Sequence, residues 1–212
     1  RAMSATLLLV RHGQTEWNVN GRYMGWTDED LNEEGVRQAE MLAQRLRGWP
    51  IREVFSSPLK RAIRTAETVA RSHSIPVQRV EDLGEMRIGS WEGMFAGEIA
   101  AKYPQLWKVW RTNPRDFRMP GGESLAEVSQ RAIRAFDRVM ENSEGRMVLA
   151  VTHDVIVKLL VAYCLEVSAD IYRRLEVSNA SLTVIEQDGE KRKLRVLNDT
   201  GHLEEWGQLR SS

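Results

Sequence analysis

Leu7-Leu8-Leu9-Val10-Arg11-His12-Gly13 is the stretch that decides the fold. An apolar run of this length reads as a strand, and here it ends in a cation and an imidazole delivered to one edge of a sheet. Gly13, with no Cβ, is expected to let the chain turn sharply at that edge. A corner of this kind suits an anionic guest. The run Met147 to Val151, followed by Thr152 and His153, repeats the arrangement and brings a second imidazole to a strand's end.

Outward from these two runs, strand-like segments alternate with helical patterns, as in an α/β domain with a largely parallel sheet. Asn32 reads as an N-cap with Leu31 and Val36 as a hydrophobic staple, and Val36, Ala39, Leu42 and Leu46 give one apolar stripe. A short strand at 53–55 leads to Ser57 as cap and Pro58 as first helical residue. Arg61 then falls in the first turn of a helix, where a cation opposes the helix dipole and calls for an anion. Residues 77–83 read as a third strand ending near Glu85. The aromatic segment 90–122 is expected to hold short helices and a long loop. Ser124 and Glu127 form a capping box for a helix to Met140, strand 147–152 follows, and a buried helix starts at Asp154. Strands near 181–186 and 192–198 close the chain as a hairpin around Asp188-Gly189.

The bulk numbers are those of a globular domain: 212 residues, 42% hydrophobic, with 30 basic against 30 acidic side chains. Residues 1–212 are expected to form one domain, with 1–5 a frayed start or an expression remnant and 205–212 a tail. Balanced charge advertises neither a nucleic-acid nor a membrane partner. The single cysteine, Cys164, rules out an internal disulfide and points to a reducing, cytoplasmic compartment. Val155 to Leu165 is too short to span a bilayer and contains Lys158. No secretory leader is visible. A homodimer could form through an edge strand.

Arg11, His12, Arg61 and His153 all lie at, or one turn past, a predicted strand's carboxyl end, so one crevice can hold them. Two guanidiniums and two imidazoles match a phosphoryl group, and the start of the Ser57 helix would add its free N–H groups. No cysteine cluster or H-x-x-x-H helix supports a metal, so no cofactor is expected. Covalent catalysis by histidine is the alternative. The leaving alkoxide needs a proton, which Glu85 or Asp154 could give. Tyr23, Met24, Trp26, Trp91, Met94, Trp107 and Trp110 are expected partly as core and partly as walls on the substrate side. Arg115 and Arg118 read either as contacts for a substrate carboxylate or as solvated loop charge.

Val10-Arg11-His12-Gly13-Gln14-Thr15-Glu16-Trp17-Asn18 resembles the N-terminal motif of the histidine phosphatase superfamily, phosphoglycerate mutase-like branch. Ser56 to Ala62, Glu81 to Gly93, Gly121 to Ser124 and Val151-Thr152-His153 resemble its later motifs, in the family's order. The resemblance implies a three-layer α/β/α sandwich with a mostly parallel sheet and no required metal. It implies His12 as the phosphorylated nucleophile and Glu85 as the proton donor. Arg11, Asn18, Arg61 and His153 are implied to bind the phosphoryl group. One departure is Asp154, where this branch commonly has glycine; an aspartate after that histidine is the acid in the acid-phosphatase branch. As a plain structural residue Asp154 is an N-cap, and the two roles are compatible.

A phosphomonoesterase acting on a small phosphorylated metabolite is therefore expected. The runner-up is a bisphosphoglycerate-dependent phosphoglycerate mutase, which typically carries a longer insertion between the equivalents of Glu85 and Gly121. A non-catalytic phospholigand-binding protein is third, since fold alone does not fix activity.

Overall fold

A computed structural model describes residues 3–203. In chain order it contains strand β1 (Ala5–Arg11), helices α1 (Glu16–Asn20) and α2 (Glu33–Leu46), β2 (Ile51–Ser56), α3 (Lys60–Arg71) and β3 (Val77–Arg79). Then follow α4 (Ala96–Lys102), α5 (Pro104–Thr112), α6 (Leu125–Met140), β4 (Met147–Thr152), α7 (Asp154–Cys164), β5 (Leu182–Asp188) and β6 (Lys191–Asp199). Short 3-10 turns stand at Glu81–Leu83, Gly89–Trp91, Pro114–Asp116 and Ala169–Arg174.

The strands form one sheet in the order β3-β2-β4-β1-β5-β6. The first four run parallel, while β5 and β6 are antiparallel additions at one side. Successive side chains of a strand face opposite ways. Leu8 and Val10 accordingly join a core with Leu42, Leu46, Ala62, Ala66 and Val69 from α2 and α3. Leu7 and Leu9 join another with Val128, Ala132, Phe136, Ile156 and Leu160 from α6 and α7. A strand buried on both faces needs apolar residues at every position, which explains the unbroken run at 7–10. The result is the α/β/α sandwich expected from the sequence.

Register carries the functional consequence. β1 and β4 pair in parallel with Val10 opposite Val151 and Arg11 opposite Thr152, so both strands end level. The His12 amide donates to the Thr152 carbonyl at 3.0 Å. Two distant stretches thus deliver His12 and His153 side by side.

Several boundaries differ from the sequence reading. Ala5 belongs to β1, pairs with Gln187 and is buried, so the frayed start does not extend to it. The tail 205–212 lies outside the described residues. Helix α2 buries Gly35, Gln38, Ala39, Leu42 and Leu46, with Val36 at the edge of the stripe. The third strand stops at Arg79, because after Val80 donates to Ser56 the chain winds into the 3-10 turn. Helix α3 begins at Lys60 with Leu59 at the N-cap position, so neither Ser57 nor Pro58 starts it.

Candidate active site

The carboxyl ends of β1, β2 and β4 open into a cleft of about 450 Å³. Its wall includes Arg11, His12, Asn18, Tyr23, Arg61, Glu85 and Asp154. His153 stands directly behind His12, with ring centroids 5.1 Å apart and planes inclined by 57°. All eight candidate residues named from the sequence therefore come together.

His12 is buried, and its Nδ1 lies 2.6 Å from the Gly13 carbonyl. A carbonyl only accepts, so Nδ1 carries the proton and Nε2 keeps its lone pair. Burial first, then the charges of Arg61 and Arg11, hold this imidazole's pKa well below its usual value. Gly13 has a different reason for being glycine than the one expected. It does not adopt a positive φ; a Cβ there would meet the Gly35 carbonyl oxygen at 2.6 Å. The strand-end loop presses directly onto the first turn of α2, and only a bare Cα fits.

His153 is fully buried at the N-cap position of α7. Its Nε2 is 2.7 Å from the Ser57 hydroxyl, which itself accepts the Leu59 amide at 3.2 Å. The hydroxyl either donates to Nε2 or accepts from it, and the ring's Nδ1 is buried without a partner among the described residues. Ser57 thus orients a histidine instead of capping α3.

Arg61 has no exposed surface, yet among the described residues no carboxylate pairs with it. Its two terminal nitrogens donate to the carbonyls of Thr27 (2.8 Å) and Gly25 (2.6 Å), leaving Nε unpartnered. Burial lowers its pKa to about 10, with Glu85, Glu92, Asp28 and Glu29 opposing the drop, so it remains a cation at neutral pH. Arg11 is aimed by the Val177 carbonyl at 2.6 Å. The α3 N-terminus is less available than expected, because the Lys60 amide is taken by the Asp28 carboxylate at 2.7 Å. Asn18 accepts through Oδ1 from Thr15 and Asn179, which turns its amide nitrogen outward as a donor.

Glu85 is buried, with its carboxyl accepting from the amides of Met86 (2.8 Å) and Val155 (3.4 Å). Burial, then the negative charge of Asp154, pushes its pKa up to about 7. Asp154 is the first helical residue of α7 and not its N-cap. Its carboxylate lies between Lys158 Nζ at 3.0 Å and Arg11 Nη1 at 3.6 Å, which draws it away from the helix terminus.

Two positioning residues escaped the sequence reading. Arg131, buried on the apolar face of α6, donates to the carbonyls of Asp82, Gly84 and Glu85 and pairs with Glu123 at 2.8 Å. It fixes the backbone that carries Glu85. An arginine inside the stripe Leu125, Val128, Ala132, Ala135 was the available signal. Asn179 donates to the His12 carbonyl at 3.1 Å and to Asn18, and nothing in its local sequence marks it.

On the substrate side, Trp91 packs within 6.5 Å (centroid to centroid) of Tyr23, Tyr103, Trp107, Trp110 and Phe117. Tyr23 and Trp110 reach the cleft, whereas Trp91 is core. Arg115 and Arg118 stay out of it; they are exposed and pair with Asp170 and Glu127. Among the described residues, no group of three or more His, Cys, Asp or Glu side chains could hold a metal ion.

Comparison with known proteins gives a consistent result. The model of the histidine phosphatase superfamily, branch 1, matches residues 7–200. Phosphoserine phosphatase 1 of Hydrogenobacter thermophilus is 35% identical over 200 residues, spanning 94% of this chain and 95% of that protein. Among solved structures, YhfR of Bacillus stearothermophilus matches with a TM-score of 0.89 at 35% identity, covering 94% of this chain and 99% of that one. A putative alpha-ribazole-5'-P phosphatase of Escherichia coli K-12 matches with a TM-score of 0.85 at 30% identity, covering 94% and 97%.

Proposed function

The chain belongs to the histidine phosphatase superfamily, branch 1, and is a phosphomonoesterase of that type; from this premise we propose that His12 Nε2 takes the phosphoryl group and Glu85 supplies the proton. The observation that carries the assignment is the His12 Nδ1 bond to the Gly13 carbonyl, which leaves an unprotonated Nε2 facing a cleft lined with cations.

In the first step the Nε2 lone pair attacks phosphorus and the ester P–O bond breaks. The departing oxygen takes the proton of Glu85, giving phospho-His12 and the free alcohol. Arg11, Arg61, Asn18 and His153 hold the phosphoryl oxygens, and the Gly13 carbonyl stabilises the imidazolium that forms. In the second step the Glu85 carboxylate takes a proton from water as that water attacks phosphorus. The P–N bond breaks, and its electrons return to Nε2. A carboxyl with pKa near 7 serves as acid first and base second with little penalty either way.

Asp154 does not fit the acid's role. It is committed to Arg11 and Lys158, and its negative charge helps keep Glu85 protonated. Tyr23 borders the alcohol side of the cleft. Phosphoserine and alpha-ribazole phosphate, which name the relatives' activities, are the first substrates to try. Cys164 is buried and unpaired, which supports a cytoplasmic setting, and a homodimer would form through the β6 edge.

Release of inorganic phosphate from a panel of phosphomonoesters, in chelator and with His12→Ala as control, tests the reading. Phosphate release by the native chain alone is the expected result. Rapid interconversion of phosphoglycerates without phosphate release would instead make the acceptor a second hydroxyl.

A further inference from the structure

The buried guanidinium of Arg61 is aimed by a segment that has no ladder of its own. Residues 23–32, between α1 and α2, form neither helix nor strand. The hydrogen-bond partners of Arg61 are two carbonyls of that segment, Gly25 at 2.6 Å and Thr27 at 2.8 Å. Backbone groups outside a ladder need other partners to hold them in place. Glu92 supplies these: its Oε1 accepts from the amides of Gly25 at 2.8 Å and Thr27 at 3.1 Å. The same two residues give their amides to Glu92 and their carbonyls to Arg61.

A short antiparallel pairing brings Glu92 to this place. The Gly93 amide donates to the Tyr23 carbonyl at 2.8 Å, the Tyr23 amide donates to the Met94 carbonyl at 2.9 Å, and Arg22 bridges to Phe95. Trp91, fully buried just before Glu92, anchors that side of the pairing. A Cβ on residue 25 would lie 2.5 Å from the Met86 carbonyl oxygen and 2.9 Å from Glu92 Oε2, so the close approach requires glycine. Between the two held residues, Trp26 donates from Nε1 to the Glu85 carbonyl at 2.5 Å, and the Arg87 guanidinium lies 3.8 Å over its ring. One segment therefore touches both the phosphate-binding arginine and the backbone of the acid.

We propose that Glu92 is a positioning residue for phosphoryl transfer: by holding the amides of Gly25 and Thr27, it fixes the two carbonyls that aim Arg61 into the cleft. Glu92 is not among the residues that line the cleft, so it acts through the 25–27 segment and not on the substrate. Its negative charge also bears on Arg61: burial draws the guanidinium's pKa down, and Glu92, after Glu85, opposes the drop. The inference rests on the phosphatase reading, in which Arg61 holds a phosphoryl oxygen.

A double-mutant cycle between Glu92 and Arg61, read as kcat/KM on nitrophenyl phosphate, tests it. That leaving group needs no proton, so Glu85 drops out of the comparison. Glu92→Ala should cost on the order of 10- to 100-fold, because two hydrogen bonds to a charged acceptor are lost. In an Arg61→Ala enzyme the same substitution should cost less than about threefold, since no guanidinium is left to aim. Glu92→Gln keeps the accepting oxygen and the reach without the charge, and should stay within about fivefold of the native rate. Should the alanine variant fail to fold, Glu92→Asp takes its place in the cycle, with its charge kept, its reach shortened and the same non-additivity expected. Additive losses, or a glutamine variant as poor as the one it is compared with, overturn the positioning role while leaving the phosphatase reading intact. A native enzyme that releases no phosphate from any compound, nitrophenyl phosphate included, overturns both.

Discussion

The two ends of the cleft are built by opposite means. At the phosphate end, Arg11 is aimed by the Val177 carbonyl, Arg61 by those of Thr27 and Gly25, His12 by that of Gly13 and His153 by the Ser57 hydroxyl. Neutral partners fix direction without cancelling charge, so Arg61 keeps its full charge. At the outer end, position comes from rings packed on rings around Trp91, and the polar groups stand at a partly exposed rim. The inner end is constrained by backbone and register. The outer end is constrained by shape, which tolerates exchange of one apolar side chain for another. We propose that chemistry belongs to the first and choice of substrate to the second.

Substitutions that divide the two ends make this contrast breakable. His12→Ala should abolish turnover of every phosphomonoester, by a factor on the order of 10⁴, because no other group supplies the nucleophile. A variant that keeps substantial activity, measured as steady-state phosphate release, would remove His12 from the chemistry. Glu85→Gln should cost on the order of 10²–10³ on an alkyl phosphate and far less on nitrophenyl phosphate, whose leaving group needs no proton. Equal losses on the two substrates would strip Glu85 of the acid's role.

The next effect is a shift in pH dependence. In the proposed first step Glu85 gives up a proton, so kcat/KM on an alkyl phosphate should fall as pH rises through about 7. The Asp154 charge is one of the causes raising that value. Asp154→Asn therefore lowers it, and the fall should begin at lower pH. An unmoved or upward-shifted profile would detach Asp154 from Glu85. The smallest effect belongs to the outer end: Trp107→Leu should raise KM by a few fold while kcat stays within about twofold. A loss of kcat on every substrate would show that ring packing also governs the chemistry.

The same contrast sets how much could be read from the sequence. Arg11, His12 and His153 follow directly from apolar runs that end in charged or imidazole residues, because strand ends are local features. Glu85 and Arg61 were placed correctly in the cleft, although their elements begin and end elsewhere. Ser57 looked like a helix cap because its partner, His153, is 96 residues away. Asp154 looked like an N-cap because aspartate favours that position, but Arg11 and Lys158 outbid the helix terminus for its carboxylate. Arg131 was illegible as a clamp because the carbonyls it binds return from a segment 46 to 49 residues earlier. What depends on one strand's end was legible; what depends on two elements meeting was not.

The central claim is that His12, held as its Nδ1–H tautomer, carries the phosphoryl group between substrate and water. Rapid acid-free quenching during turnover of nitrophenyl phosphate, followed by peptide mapping under alkaline conditions, reads this directly. The mapped peptide should hold one acid-labile, alkali-stable phosphoryl group on His12, absent in His12→Asn. A phosphoryl group on His153 or elsewhere, or full turnover with no phosphoenzyme at any time point, would contradict it.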